Sequence, residues 1–200
     1  MRMVSADGLS NDKAALRSRL LAERRALTLE QRASAARAIA AHATGLVPPG
    51  STVAAYVSVG GEPGTRPLLA ALAAAGTRVL LPVLLPDNDL DWAPYESEAR
   101  LAPAGRGLLE PLAAPLGPDA VCTADVVLLP GLAVDLRGTR LGRGGGSYDR
   151  VLARLTRAGA RPLLATLLYS HELLPAVPTE PHDLPVHAAV TPAGITRFAP

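Results

Sequence analysis

The 200-residue sequence is short of several things, and each shortage narrows what it can be. It has a single cysteine, Cys122, which excludes an intrachain disulfide and any all-cysteine zinc site and fits a reducing compartment. Aromatic residues make up 3% of the chain while 48% is apolar, so the core has to be built from Leu, Val and Ala. Such a composition suits buried parallel strands covered by Ala-rich helices. No stretch reaches membrane-spanning length without Pro, Gly or charge, and the opening MRMVSADGLSNDKAALRSRL has no apolar segment of the signal-peptide kind. A soluble, cytoplasmic protein is expected. Excess charge is missing too: 20 basic residues against 18 acidic ones leave +2, too little for a polyanion-coating surface, so nucleic acid is not an expected partner. With no Ser/Gly or charge-block linker, the length suits one domain over 1–200, with 1–11 a disordered N-terminus. Lysine is as scarce as cysteine. Lys13 stands alone against 19 arginines, which either reflects GC-rich coding or marks a position that needs a compact ammonium on a flexible stem.

What the chain has in plenty is alternation of helix and strand patterns. In SNDKAALRSRLLAERRALT, Ser10, Asn11 or Asp12 offers an N-cap, and Leu16, Leu20 and Leu27 follow at near-helical spacing. Lys13 and Arg17 then share one face of the first two turns, where the helix dipole favours an anion; a solvated basic face is the other reading. TLEQ, from Thr28 to Gln31, reads as a capping box opening a second, Ala-rich helix that ends near Gly45. Beyond it the pattern predicts a strand over 51–59, a helix over 65–76, strands over 77–85 and 124–134, a helix over 147–159, and strands over 161–169 and 187–191. Between 86 and 119 lies a Pro-rich stretch, read as a short strand around Trp92 and otherwise surface loop. Strands alternating with helices imply crossover units and a mainly parallel sheet. In such a sheet, ligands sit beyond the carboxyl ends of the strands.

One such end carries RLGRGGGSYDR, Arg140 to Arg150. Glycines admit positive φ and let amides approach a ligand, successive amides form a nest for an anion, and a helix opening near Ser147 adds its positive end. Arg140 and Arg143 supply charged donors, so phosphate suits this loop. A P-loop is ruled out, because no lysine is present there, and a dinucleotide fingerprint fails whether counted from Gly142 or from Gly144. The bland alternative is a flexible surface turn. Asp149 stands close enough to hold a phosphate-bound Mg²⁺, or else it merely favours the helix dipole.

The stretch LPGLAVDLRGTRLGRGGGSYDRVL closely resembles the signature of the 5-formyltetrahydrofolate cyclo-ligase (methenyltetrahydrofolate synthetase) family. KAALR near the N-terminus, YVSVGGEPGTRPLL, GLLEP and HDLPVHAAVT resemble further landmarks of that family in the same order. The resemblance implies an α/β three-layer sandwich with a mainly parallel Rossmann-like sheet, here with an N-terminal helical pair. It implies conversion of 5-formyltetrahydrofolate, possibly polyglutamylated, to 5,10-methenyltetrahydrofolate with ATP hydrolysis and Mg²⁺, by a monomer or weak dimer. Position by position it implies ATP binding by Lys13, Ala14, Ala15, Leu16 and Arg17 and by Arg140, Leu141, Gly142, Arg143, Gly144, Gly145, Gly146, Ser147 and Tyr148. Folate contacts are implied for Val57, Glu62 and Arg17, and Mg²⁺ for Asp149 and Asp183; Lys13 and Arg143 are the charges expected at the transferring phosphoryl group. Glu62 has a second reading as a helix cap, and Asp183 one as a turn former. The chain departs from the family at Ser147, where an aromatic is common, at YSHELL (Tyr169 to Leu174), where glutamine is common, and at His187, where aspartate is frequent. His171, His182 and His187 are spaced unlike a zinc site and read as loop histidines, and Cys122 reads as a small buried residue. Two rival classes remain: a sugar-phosphate isomerase or CoA-transferase relative, which would need no ATP, and a nucleotide- or folate-binding regulatory protein without turnover.

Overall fold

Apolar runs that turn alternate side chains to opposite sides form the centre of the molecule. A computed structural model describes residues 6–180 and 183–199. Two helices come first, α1 (Ala6–Ala26) and α2 (Leu29–Ala43), followed by β1 (Thr52–Ala54), α3 (Arg66–Ala74), β2 (Arg78–Leu84) and β3 (Leu90–Pro94). A short ribbon of β4 (Leu101–Pro103) and β5 (Leu109–Pro111) precedes β6 (Val126–Pro130), β7 (Ala133–Asp135), β8 (Arg140–Leu141) and α4 (Ser147–Ala158). The chain closes with β9 (Leu163–Leu167), β10 (Leu173–Leu174), β11 (Ala188–Thr191) and β12 (Gly194–Arg197).

The main sheet runs β12-β11-β9-β6-β1-β2-β3, parallel from β11 to β2 with antiparallel edges at β12 and β3. Val53 of β1 pairs with Val79 on one side and Val126 on the other, so the strand order reverses between β1 and β6. That reversal opens a crevice at the strands' carboxyl ends. Val53, Leu81, Leu128, Leu167 and Val190 face Ile39 of α2 and Leu68, Leu69 and Leu72 of α3. Their neighbours Ala54, Leu80, Val127, Leu129 and Ala189 face the other way, toward Trp92 and toward Val151, Leu152 and Leu155 of α4. A period of two along strands buried on both faces makes three layers. Leu16, Leu20 and Leu21 of α1 lie instead on a second sheet, β10-β7-β8, against Leu132, Ala133, Leu141 and Val177. This seats α1 beside the strand that feeds the glycine loop.

Several boundaries differ from the sequence reading. The capping box is present, with Thr28 Oγ1 accepting from the Gln31 amide at 3.1 Å and Gln31 Oε1 from the Thr28 amide at 2.8 Å. However, α1 begins at Ala6, so residues 6–11 are helical rather than disordered and Lys13 lies past the first two turns, out of reach of the helix N-terminal charge. The expected strand over 51–59 is a strand only over Thr52–Ala54, with the Ala55 amide still bonding the Leu80 carbonyl at 2.9 Å before the chain leaves the sheet for the crevice wall. The strand over 124–134 divides at Gly131, where a Cβ would meet Thr166 Cγ2 at 2.7 Å. The Pro-rich stretch holds β3 around Trp92 as expected, and also the β4-β5 ribbon. Among the described residues no helix is long and apolar enough to cross a membrane.

Candidate active site

A cavity of about 400 Å³ occupies the crevice. Val57 and Glu62 of the segment after β1 form one side, the glycine loop with Ser147, Tyr148 and Asp149 a second, and Pro82, Leu84, Leu90 and Leu109 an apolar third. The loop is shaped by its glycines. Gly144 has φ +94° and Gly146, the N-cap of α4, φ +75°, conformations that other residues reach only with strain. As no side chain caps α4, its first amides are left facing the cavity. β8 sets the loop's height, and the turn from β7 is closed by Asp135, whose Oδ1 accepts from the Arg137 and Thr139 amides, each at 2.9 Å.

The two loop arginines do different work. The Arg140 side chain is only 6% exposed. It donates to the Pro130 carbonyl at 3.0 Å and to Asp149 Oδ1 at 2.7 Å, and Gly142 lies so close that a Cβ would sit 3.0 Å from its Nη1. Burial lowers its pKa, an effect the Asp149 carboxylate partly offsets. Arg140 therefore supports the loop from beneath while still lining the cavity. Arg143 projects, half exposed, with Nη1 3.4 Å from Glu62 Oε1. Tyr148 lies half-buried beside them in the cavity wall, and desolvation pushes its hydroxyl pKa far up.

Glu62 is positioned by its own loop. Its Oε2 accepts from the Val59 amide at 2.9 Å, and Tyr169 donates its hydroxyl to the Glu62 carbonyl at 3.3 Å. Ser58 and Thr65 exchange amide-to-hydroxyl bonds of 2.9 and 3.1 Å across the loop's base. Thr65 takes the N-cap position of α3, so Glu62 is not that helix's cap. Its carboxylate is left for the crevice.

The N-terminal pair does not line the cavity. Lys13 is buried, with Nζ 2.6 Å from Glu180 Oε2 and 2.8 Å from Asp183 Oδ2. Burial works to lower its pKa, but the hydrogen bonds to Asp183 and Glu180 outweigh that and raise it. Arg17 touches the loop from behind, Nε to the Gly142 carbonyl at 3.0 Å. Ala14 and Ala15 are exposed and Leu16 packs on the small sheet, so these three contribute no group to the crevice. Asp183 is built into the Lys13 ion pair and also accepts from the Glu180 amide at 2.8 Å. No cluster of three or more His, Cys, Asp or Glu side chains suited to a metal gathers among the described residues. Asp149 by itself fits Mg²⁺, which needs only one or two carboxylates when phosphates supply the rest: its side chain is 60% exposed at the cavity mouth, a hard oxygen donor beside the phosphate-suited loop.

Sequence reasoning missed the group that ties these parts together. Arg24 and Glu172 are 2% and 0% exposed and meet side-on, Nε to Oε1 at 2.5 Å and Nη2 to Oε2 at 2.9 Å. Nη2 also donates to the Gly131 carbonyl at 2.6 Å, and Glu172 Oε2 accepts from the Tyr169 amide at 2.9 Å. One arginine of α1 thus joins the loops after β6 and β9, and through Tyr169 the loop of Glu62. The signal lay in YSHELL, where a Glu stands three residues after Tyr169. His171 stacks on Tyr169 at 5.9 Å, and His187, in the loop just before β11, accepts at Nδ1 from the Leu164 amide at 2.9 Å; His182 lies outside the described residues. Cys122 is half-buried, bordering the α4-side core.

A parallel sheet with a helix-opening glycine loop at its switch point defines the Rossmann-like class of α/β proteins that seat phosphorylated ligands at a helix N-terminus. The profile of the 5-formyltetrahydrofolate cyclo-ligase family matches residues 9–192. The chain belongs to that family. It is 41% identical over 185 residues to the 5-formyltetrahydrofolate cyclo-ligase of Mycolicibacterium smegmatis, covering 90% of this chain and 93% of the relative. With that of Escherichia coli K12 it shares 34% over 181 residues, covering 88% and 97%. The solution structure of Aquifex aeolicus 5,10-methenyltetrahydrofolate synthetase superposes with a TM-score of 0.77 at 27% identity, over 94% of this chain and 93% of that one.

Proposed function

We propose that this chain converts 5-formyltetrahydrofolate and ATP to 5,10-methenyltetrahydrofolate, ADP and phosphate. The observation that carries the reading is the Glu62 carboxylate facing the glycine loop across the switch-point cavity, with Arg143 3.4 Å from it. The triphosphate would lie on the amides of Gly144, Gly145 and Gly146 and on the start of α4, with Arg143 free to follow the transferring group. Arg17 and Lys13 act from behind the loop, the first on the Gly142 carbonyl and the second through Asp183, whose charge also reaches Arg140. Asp149 would hold Mg²⁺, which when bound neutralises charge on the phosphates.

The folate would lie with its formyl group at the Val57–Glu62 side. A formamide oxygen is a poor leaving group. If it attacks the γ-phosphorus and ADP departs, the formyl carbon becomes an iminium phosphate; N10 then adds to that carbon, loses its proton, and the C–O bond breaks to release phosphate as the ring closes. The protein's part is alignment and charge stabilisation, as in phosphoryl transfer generally. Glu62 would hydrogen-bond the reduced ring, and the apolar wall would exclude water. The isomerase, transferase and regulatory alternatives are not favoured, since the family profile and the relatives above are those of cyclo-ligases.

The test is to follow the near-ultraviolet absorbance of the methenyl product with purified protein, 5-formyltetrahydrofolate and Mg-ATP. An ATP-dependent rise is expected, with kcat/KM lowered roughly 100-fold or more in Asp149→Ala and in Glu62→Gln, as for loss of a group acting on developing charge. A rise that occurs without ATP, or no rise at all, would overturn the reading.

A further inference from the structure

Three arginines line the cavity: Arg106, Arg140 and Arg143. Arg140 is paired with Asp149 and Arg143 with Glu62. Arg106 has no acidic partner among the described residues; its Nη1 donates to Asn88 Oδ1 at 2.7 Å, and its other guanidinium donors bond no described group. Its position is built. Arg106 stands at the tip of the β4-β5 ribbon with φ +61°, and Asn88 in the turn between β2 and β3 with φ +66°. These are the two non-glycine residues of the described chain in the left-handed region, and they are bonded to each other. Asparagine tolerates that conformation; arginine rarely adopts it, and strain of this kind concentrates where a ligand is held.

The ground between Arg106 and the glycine loop is apolar, formed by Pro82, Leu84, Leu90, Leu108 and Leu109. The loop follows β6 and β8, whereas Asn88 follows β2 and leads into β3, three strand spacings from β6, or about 14 Å. A ligand spanning the cavity would therefore meet, in order, a phosphate-suited loop, an apolar strip and an unpaired guanidinium. On the reading proposed above, the folate presents the matching series: the reacting formyl group, a p-aminobenzoyl ring, and the carboxylates of a glutamyl tail. We propose that Arg106 binds those carboxylates and is the residue that selects glutamylated substrate. A planar guanidinium with its remaining donors free can take a carboxylate by two bonds, and the Asn88 contact holds it ready.

The test compares 5-formyltetrahydrofolate with 5-formyltetrahydropteroate, the same molecule lacking the glutamate, in wild type, Arg106→Gln and Arg106→Lys. Wild type is expected to prefer the glutamylated substrate by about tenfold or more in kcat/KM, the worth of a hydrogen-bonded charge. Arg106→Gln abolishes that preference by losing activity on the glutamylated substrate alone, and Arg106→Lys, keeping charge without the fork, falls between. The KM for ATP and the melting temperature stay put. Equal loss on both substrates, no loss on either, or a raised KM for ATP would overturn the proposal. Failure of wild type to turn over either compound would instead overturn the functional reading on which it rests.

Discussion

Arg24 and Glu172 show how much a single buried pair can hold in place. Moving two charges out of water costs several kcal/mol each, and only close, fully bonded geometry offsets that. Here the guanidinium and carboxylate bond side-on through Nε and Nη2, and Nη2 donates a further bond to the Gly131 carbonyl. Burial still pushes the Glu172 pKa up, with Arg24 pulling it back, and the same cluster raises that of Arg24 against its own burial. Arg24→Met should therefore cost about 3–5 kcal/mol by leaving Glu172 buried and uncompensated, while Arg24→Met combined with Glu172→Leu should recover most of that loss. Urea unfolding of the three proteins checks it. Glu172 stood in the conspicuous YSHELL segment, but its pairing was not legible, because 148 positions separate the two and nothing local joins an arginine late in α1 to a glutamate beyond β9.

At the scale of elements, the glycine loop separates what glycine does for the fold from what it does for a ligand. A Cβ on Gly131 would lie 2.7 Å from Thr166, so that glycine is required by packing. A Cβ on Gly145 would meet no atom of the described residues beyond its chain neighbours within 4 Å, and its φ lies outside the left-handed region. Nothing among the described residues needs glycine there. If the loop carries ATP phosphates on its amides, Gly145→Ala should leave the melting temperature within about 2 °C, as for a surface change of under 0.5 kcal/mol, and raise the KM for ATP roughly tenfold or more. Thermal unfolding and ATP titration together read both halves. The loop, the capping box and the long apolar strands were legible because each is a local pattern of glycines, caps or period-two residues. The strands β8 and β10 and the β4-β5 ribbon were not, since pieces of two or three residues owe their pairing to partners elsewhere in the chain.

At the scale of the molecule, the strand order does the assembling. Reversal at β1 and β6 sets the Glu62 segment and the glycine loop on opposite sides of one crevice, and α1, seated on the small sheet, braces both. Lys13 was singled out in the sequence for an ammonium that the nucleotide would need; its place against Glu180 and Asp183 could not be seen there, because the partners lie 167 and 170 residues away. For the proposed reaction, such a scaffold would have to bring a formyl oxygen into line with a γ-phosphorus. The direct measurement is turnover of 5-formyltetrahydrofolate labelled with oxygen-18 in the formyl group, with the phosphate released from ATP examined by phosphorus NMR for the isotope shift. The label should appear in phosphate, one atom per methenyl product formed; unlabelled phosphate, with the oxygen-18 found in water, would contradict transfer of the phosphoryl group to the formyl oxygen.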